Sequence, residues 1–298
     1  MAYFEIKGVI PPMATPFQAD GSVDYDAFVQ NIHYYNTTAL AGYLVLGSNS
    51  ETPFLNEEEK LELIRLAVQH AAKDKIIMFG TGLESTEETI RLTNKAAKLG
   101  AHCALLLTPN YYGSNMNEEA QIAYFTEVAD RCDIPILIYN VTKFTHINIS
   151  PAAVSILSKH PNIIGMKDSS GDIAQLVSFI TKGLDPQFNL IVGTASAWYP
   201  AQAIGVKSAI MALANCSPKE CIEVQTLVES GRWQDALELY KRMFPVNAAV
   251  TGKYGVPGLK YAMNKLGLKG CFVRKPLLEC SEAAKKDIDA ILTKAQLL

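Results

Sequence analysis

Two hydrophobic periods alternate along this chain, and few folds accept that alternation eight times over. Short apolar runs occur at GVIPPM (8–13), GYLVLG (42–47), KIIMFG (75–80), HCALLL (102–107), IPILIY (134–139), NIIGMK (162–167), NLIVG (189–193) and KSAIMA (207–212). An unbroken apolar run of this length is what a parallel strand needs when both of its faces are buried. The first run is the weakest, because Pro11 and Pro12 have no N–H to give to a ladder. Amphipathic stretches with helical start and stop signals fill the intervals. Asn56 with Glu59, and Ser85 with Glu88, have capping-box spacing, while Ser150-Pro151 reads as an N-cap followed by proline at the first helical position. Gly100 after Lys98-Leu99 reads as the glycine beyond a helix C-terminus. Strands recur about every 25 to 35 residues up to the seventh run, with a shorter last interval, which suits right-handed βαβ units. Eight such units predict a (β/α)8 barrel; the rival, a doubly wound open sheet, usually has fewer strands and a switch point.

After residue 213 the strand signal stops, and helices are expected at about 218–229, 232–249, 255–266 and 281–296, with breaks at Gly231, Gly252, Gly255 and Gly267. No Pro/Ser-rich linker intervenes, so the expected organisation is a catalytic barrel over residues 1–213 and a helical extension over 214–298 packed on it. Of the 298 residues, 49% are hydrophobic and 19% charged, which supplies a core and excludes a disordered chain. With 27 basic and 30 acidic residues, the net charge is −3 and no basic stripe stands out, against a nucleic-acid binder. Small molecules and other protein chains are the expected partners. Cys103, Cys132, Cys216, Cys221, Cys271 and Cys280 form no C-x-x-C pair and read as reduced thiols. No apolar run approaches the roughly 18 residues of a membrane span, and the start MAYFEIKGVIPP lacks the pattern of a secretory leader. A cytoplasmic protein without membrane contact is expected.

In a barrel of this kind the chemistry sits at the C-terminal ends of the strands. Those ends carry Ser48, Asn49 and Glu51; Thr108 to Tyr112; Tyr139 and Asn140; Lys167 and Asp168; and Gly193-Thr194. Lys167 closes an apolar strand. A desolvated lysine is depressed in pKa and becomes a nucleophile suited to Schiff-base formation; the alternative is a lysine that simply marks the polar end of a strand, with or without Asp168 as its partner. Tyr139, ending the adjacent strand, is either a proton carrier for an iminium adduct or an aromatic lid on the barrel. Ser48-Asn49, after Gly47, is either a carboxylate cradle or an ordinary polar turn. His33, His70, His102, His146 and His160 have no metal-site spacing, and the strand ends hold no His/Asp/Glu cluster, against a metal-dependent aldolase. Gly80-Thr81-Gly82 lacks the third glycine of a dinucleotide fingerprint, and no P-loop is present. His146 reads as a loop residue. Trp198-Tyr199 reads as a packing pair near the pocket.

Taken together, Thr15-Pro16-Phe17, GSNSE (47–51), TPNYY (108–112), YN (139–140), GMKDSSGD (165–172) and PVNAAVTGKYGVPGLK (245–260) resemble the dihydrodipicolinate synthase / N-acetylneuraminate lyase superfamily of pyruvate-dependent class I aldolases. The likeness covers essentially the whole chain. It implies a Schiff base on Lys167, proton transfer by Tyr139, and Ser48 linking Tyr139 to a Tyr111 that reaches across from a neighbouring subunit. It also implies Ser48, Asn49 and Ser169 on the substrate, Gly193 and Ile210 lining the pocket, no metal or other cofactor, and a homotetramer built as a dimer of dimers. Asn49 and the 245–260 tail look closest to 4-hydroxy-2-oxoglutarate aldolases. The implied reaction is then cleavage of 4-hydroxy-2-oxoglutarate to pyruvate and glyoxylate.

Three positions depart from the family pattern. Dihydrodipicolinate synthases carry an arginine five residues after the catalytic tyrosine, and here that residue is Phe144, which argues against that activity. Thr142 stands where proline is usual and Ser50 where glycine is usual, so the second-substrate pocket has its own shape. The alternatives are an aldolase or dehydratase acting on a 2-keto-3-deoxy sugar acid through the same lysine, and a non-catalytic sensor of 2-oxo acids.

Overall fold

The structure is a computed structural model that describes residues 5–298; the first four residues of the MAYFEIKGVIPP start lie outside the described residues. Each of the eight apolar runs forms a strand: β1 (Gly8–Ile10), β2 (Gly42–Val45), β3 (Ile76–Gly80), β4 (Cys103–Leu107), β5 (Ile136–Asn140), β6 (Ile163–Asp168), β7 (Asn189–Val192) and β8 (Ser208–Ile210), with β5 and β6 reaching one residue past theirs. They form one sheet in the order β1-β8-β7-β6-β5-β4-β3-β2. Ala41 N donates to Val9 O at 2.9 Å and Leu44 N to Pro11 O at 3.0 Å, so the two ends of that order are themselves joined. The fold class is a (β/α)8 barrel. β1 stops before Pro11: Pro11 O accepts from Leu44 N in β2, Pro12 O accepts from Asn215 Nδ2 at 3.0 Å, and neither proline has a donor to give, as the missing N–H requires.

Helices α1 (Tyr25–Asn36), α2 (Glu57–His70), α3 (Thr86–Lys98), α4 (Glu118–Arg131), α5 (Thr142–Thr145), α6 (Pro151–Leu157), α7 (Ile173–Gly183) and α8 (Ala195–Ala203) fill the intervals between strands. Their ends form where the sequence places cap residues. Asn56 and Glu59 close a reciprocal capping box, Ser85 Oγ accepts from Glu88 N, and Ser150 caps α6 ahead of Pro151. Gly100, at φ +100°, ends α3 in a Schellman motif: its N–H reaches Ala97 O at 3.0 Å while Ala101 N reaches Ala96 O at 3.1 Å.

Beyond β8 the chain is helical, in α9 (Pro218–Glu229), α10 (Trp233–Asn247), α11 (Gly255–Lys265) and α12 (Glu282–Lys294). The helix expected over 232–249 ends earlier and passes into a π-helical turn, Ala248–Lys253, closed by Tyr254 N to Ala249 O at 2.9 Å. Pro245 inside α10 removes one i→i−4 bond just upstream, and Gly252, expected as a break, lies within the wider turn. No helix among the described residues is long and apolar enough to cross a membrane.

Two compact units divide the chain. One consists of Ile77–Ile210 with residues 5–7; the other consists of Gly8–Ile76 with Met211–Leu298. The core of the first is the wholly buried middle of β4, β5 and β7 (Ala104, Leu106, Ile136, Leu137, Ile138, Ile191) under Phe125 and Phe179. The core of the second gathers Phe17, Phe28, Tyr35, Tyr43, Leu259 and Met263. Tyr35 keeps its hydroxyl satisfied there by donating to Asn215 O at 2.7 Å, as a buried phenol must.

Candidate active site

Within the first unit, β5 and β6 run parallel with Tyr139 opposite Lys167 and Asn140 opposite Asp168. Alternation along a strand puts residues 167 and 168 on opposite faces, and the two side chains have different surroundings. Lys167 is 4% exposed. Its Nζ lies 4.3 Å from the centroid of the Tyr139 ring and makes no ion pair or hydrogen bond among the described residues. The Asp168 carboxylate is occupied elsewhere: Asn140 Nδ2 donates to it at 2.7 Å, Gln175 Nε2 at 2.8 Å and Ser170 N at 3.0 Å, and the Ser170 hydroxyl also bonds it. The pairing of Lys167 with Asp168 is therefore not made among the described residues. A buried primary amine thus lies beside a phenol ring, without an ion pair among the described residues.

Burial pushes the thiols of Cys103 and Cys216 up to about 12 and that of Cys132 up to about 11, so none is a thiolate near neutral pH. His102 spends Nδ1 on Ile77 N, and burial lowers its pKa. His146 lies in a loop after α5 and Trp198 is buried in α8, as expected.

The neighbouring strand ends are stitched to that of β6. Ser169 N donates to Asn140 O at 2.9 Å, and Gly193 N donates to Asp168 O at 2.6 Å. A Cβ on Gly193 would stand 1.9 Å from Ser169 Oγ, so the close approach of these two segments requires glycine. Ile210 closes β8 and is wholly buried. Tyr139, Lys167, Ser169, Gly193 and Ile210 thus all lie at C-terminal strand ends of one unit. Tyr111 belongs to the same unit and is 79% exposed, packed edge-on against Tyr112 with centroids 5.0 Å apart. Its backbone is fixed, because Glu84 Oε2 accepts from both Asn110 N and Tyr111 N. Its hydroxyl makes no hydrogen bond among the described residues. Phe144, on the single turn of α5, is 53% exposed, with Lys143 Nζ 5.6 Å from its ring centroid.

Ser48 and Asn49 belong to the second unit, on a 3₁₀ turn (Ser48–Ser50) after β2. Neither side chain makes a hydrogen bond among the described residues, while their neighbours hold the turn rigid. Ser50 Oγ donates to Met13 O at 2.5 Å, Thr52 Oγ1 donates to Gly47 O at 2.9 Å, and Glu51 takes the left-handed conformation at φ +56°.

Sequence reasoning missed what lies behind this turn. Glu51 and Lys260 form an ion pair at 2.5 Å with both side chains only 1% exposed. Lys260 Nζ also donates to Phe272 O at 2.6 Å and sits 4.4 Å from the Phe17 ring centroid. Arg274 donates through its backbone N to Glu51 Oε2, and its guanidinium bonds Gly21 O, Phe54 O and both oxygens of Glu59. Burial pushes Glu51 up and Lys260 down, and their mutual attraction opposes both shifts. The available signal was a lysine among Gly258, Leu259, Ala262 and Met263, the buried residues of α11.

This arrangement can be compared with known proteins. The profile of the dihydrodipicolinate synthetase family matches residues 5–295. The chain belongs to that family. This member is 34% identical over 294 residues to a 4-hydroxy-tetrahydrodipicolinate synthase of Rhizobium meliloti, covering 98% of this chain and 99% of the other. It is 32% identical over 288 residues to that of Methanothrix thermoacetophila, covering 97% and 96%. Among solved structures it superposes with a TM-score of 0.92 on the synthase of Acinetobacter baumannii in complex with pyruvate, at 27% identity over 99% of this chain and 100% of the other. It superposes equally well, at 0.91 and 29% identity, on that of Aquifex aeolicus, over 98% and 99%. The enzyme class of the family, and of this member, is carbon–carbon lyase.

Proposed function

We propose that this member of the family is a class I aldolase that cleaves a 4-hydroxy-2-oxo acid to pyruvate and an aldehyde, with 4-hydroxy-2-oxoglutarate as substrate and glyoxylate as the aldehyde. The observation that carries the reading is the buried Lys167 amine, unpaired among the described residues and 4.3 Å from the Tyr139 ring. Lys167 attacks the C2 ketone and, with loss of water, forms an iminium that acts as an electron sink. Tyr139 takes the proton of the C4 hydroxyl. The C3–C4 bond breaks, its electron pair passes toward the iminium nitrogen, and the aldehyde leaves an enamine behind. Protonation at C3 and hydrolysis release pyruvate and restore the amine. By resemblance, Ser48, Asn49 and Ser169 hold the substrate, Ser48 connects Tyr139 with Tyr111, and Gly193 and Ile210 line the pocket. The same resemblance supports a homotetramer in which Tyr111 serves a neighbouring subunit, and a division into a barrel over 1–213 and an extension over 214–298.

A second reading is condensation in the manner of the 4-hydroxy-tetrahydrodipicolinate synthases, favoured by the names of the relatives at 34% and 32% identity. Phe144 speaks against it, since an aromatic ring cannot hold a carboxylate as a guanidinium does. Product analysis separates the readings. Release of pyruvate from 4-hydroxy-2-oxoglutarate, followed with lactate dehydrogenase, is expected and should vanish in Lys167→Ala. Pyruvate only from 2-keto-3-deoxy aldonates would move the substrate to sugar acids. Loss of water without pyruvate would make the enzyme a dehydratase, and turnover in the synthase assay alone would establish the second reading.

A further inference from the structure

We propose that Asp168 is a positioning residue whose buried carboxylate, bound by Asn140 and Gln175, fixes the register in which Tyr139 and Lys167 face each other. The inference rests on the Schiff-base reading of Lys167 and assigns a role to its neighbour on the opposite face of β6.

The pairing of β5 with β6 is irregular. Ile136 faces Ile163, but the next residue, Leu137, faces Gly165, so β6 carries one extra residue at Ile164. Such a bulge re-aims every side chain beyond it, and beyond it lie Met166, Lys167 and Asp168. A slip of one residue would turn Lys167 to the face that Asp168 now occupies. Evenly spaced parallel backbone bonds do little to penalise that slip, so side chains must do so.

The lock sits on the rung after Tyr139 and Lys167. Asn140 and Asp168, each 1% exposed, are joined directly at 2.7 Å. Asn140 Nδ2 also donates to Asn148 Oδ1 at 2.8 Å, Asn148 Nδ2 to Gln175 Oε1 at 2.8 Å, and Gln175 Nε2 back to Asp168 at 2.8 Å. The four side chains close a ring across β5, the segment before α6, β6 and α7. Asn140 Oδ1 accepts Ile149 N at 3.2 Å, which ties the ring to the backbone. A buried carboxylate is costly without partners, and among the described residues no cation is paired with this one. Neutral donors satisfy it instead: Ser170 is local, two residues along the chain, whereas Asn140 comes from β5 and meets the carboxylate in the observed register. The arrangement is thus an expensive means of stability and a direct means of specifying register.

Asp168→Asn and Gln175→Ala test the proposal through two readouts on folded enzyme. These are turnover of the cleaved 2-oxo acid, and the rate at which borohydride traps a pyruvate adduct on Lys167 at saturating pyruvate. Asp168→Asn keeps the shape but sets an amide against the donors of Asn140 and Gln175. It is expected to lower kcat and the trapping rate together by about 10²-fold, the scale of an ångström-sized misplacement, while KM changes less than about threefold. Gln175→Ala, which leaves the carboxylate in place, is expected to shift both the same way by a smaller factor, and Gln175→Glu should not rescue it. Folded Asp168→Asn with wild-type kcat and trapping rate would overturn the proposal and reduce the ring to a structural element. If Asp168→Asn fails to fold, Gln175→Ala decides, and an unchanged trapping rate there overturns the proposal as well. Failure of the wild-type enzyme to form any adduct at Lys167 is a separate result, which removes the Schiff-base reading itself.

Discussion

At the scale of single residues, the decisive contrast is between two neighbours. Lys167 and Asp168 are adjacent in sequence, and a pairing between them was an open reading of the strand end. Strand alternation separates them, and the carboxylate goes to Asn140 and Gln175 while the amine goes to Tyr139. Two predictions belong here. Tyr139→Phe keeps the ring beside Lys167 but removes the hydroxyl, so turnover should fall by about 10²- to 10⁴-fold while borohydride still traps a pyruvate adduct. Gly193→Ala places a Cβ 1.9 Å from Ser169 Oγ, and forcing the segments apart should cost about 1 to 3 kcal/mol in urea unfolding, with a loss of activity. The strand-end places of Lys167, Tyr139, Ser48 and Asn49 were legible, because the apolar runs already fix where β2, β5 and β6 stop. Asn148 and Gln175 were not, because their roles depend on a closure in space among residues of ordinary polar loops and helix surfaces.

Elements were legible where their hydrogen bonding is local. Helix α9 lies where its pattern places it, Pro218–Glu229, because a proline start and a glycine stop act within a turn of the chain. The end of α10 was misjudged because a single proline and a wider turn leave the hydrophobic period almost intact. The Glu51–Lys260–Arg274 cluster joins residues more than two hundred positions apart in sequence, which no periodicity reports. Removing one partner of a buried pair strands the other, so Lys260→Met should destabilise by about 3 to 5 kcal/mol, whereas Glu51→Gln with Lys260→Met should recover most of that in denaturant midpoints. Glu59 gives the pH dependence. Hydrogen bonds from Arg274 hold its pKa below the ordinary 4.5, so its contribution is full above that value and is lost as pH falls through the depressed one. Glu59→Gln should therefore flatten the acid limb of the stability profile and leave the slope near neutral pH unchanged.

The whole molecule was the easiest scale to read, because eight apolar runs at βα spacing admit few architectures, and the TM-scores of 0.91 and 0.92 match that expectation. Assembly is a different matter. Tyr111 and Tyr112, at 79% and 71% exposed, are what a neighbouring subunit would cover, yet a monomeric synthase variant exists among the solved relatives. Sedimentation velocity is expected to give a tetramer, and a monomer would remove the inter-subunit role proposed for Tyr111. The net charge of −3 is small, so the field of the whole surface offers little steering to a small ligand of either sign. Every functional statement about this family member finally depends on one nitrogen atom. Wild-type enzyme incubated with pyruvate, reduced with borohydride and mapped by mass spectrometry should carry a single reduced adduct on Lys167; folded protein that carries none, or carries it on another lysine, would contradict the account.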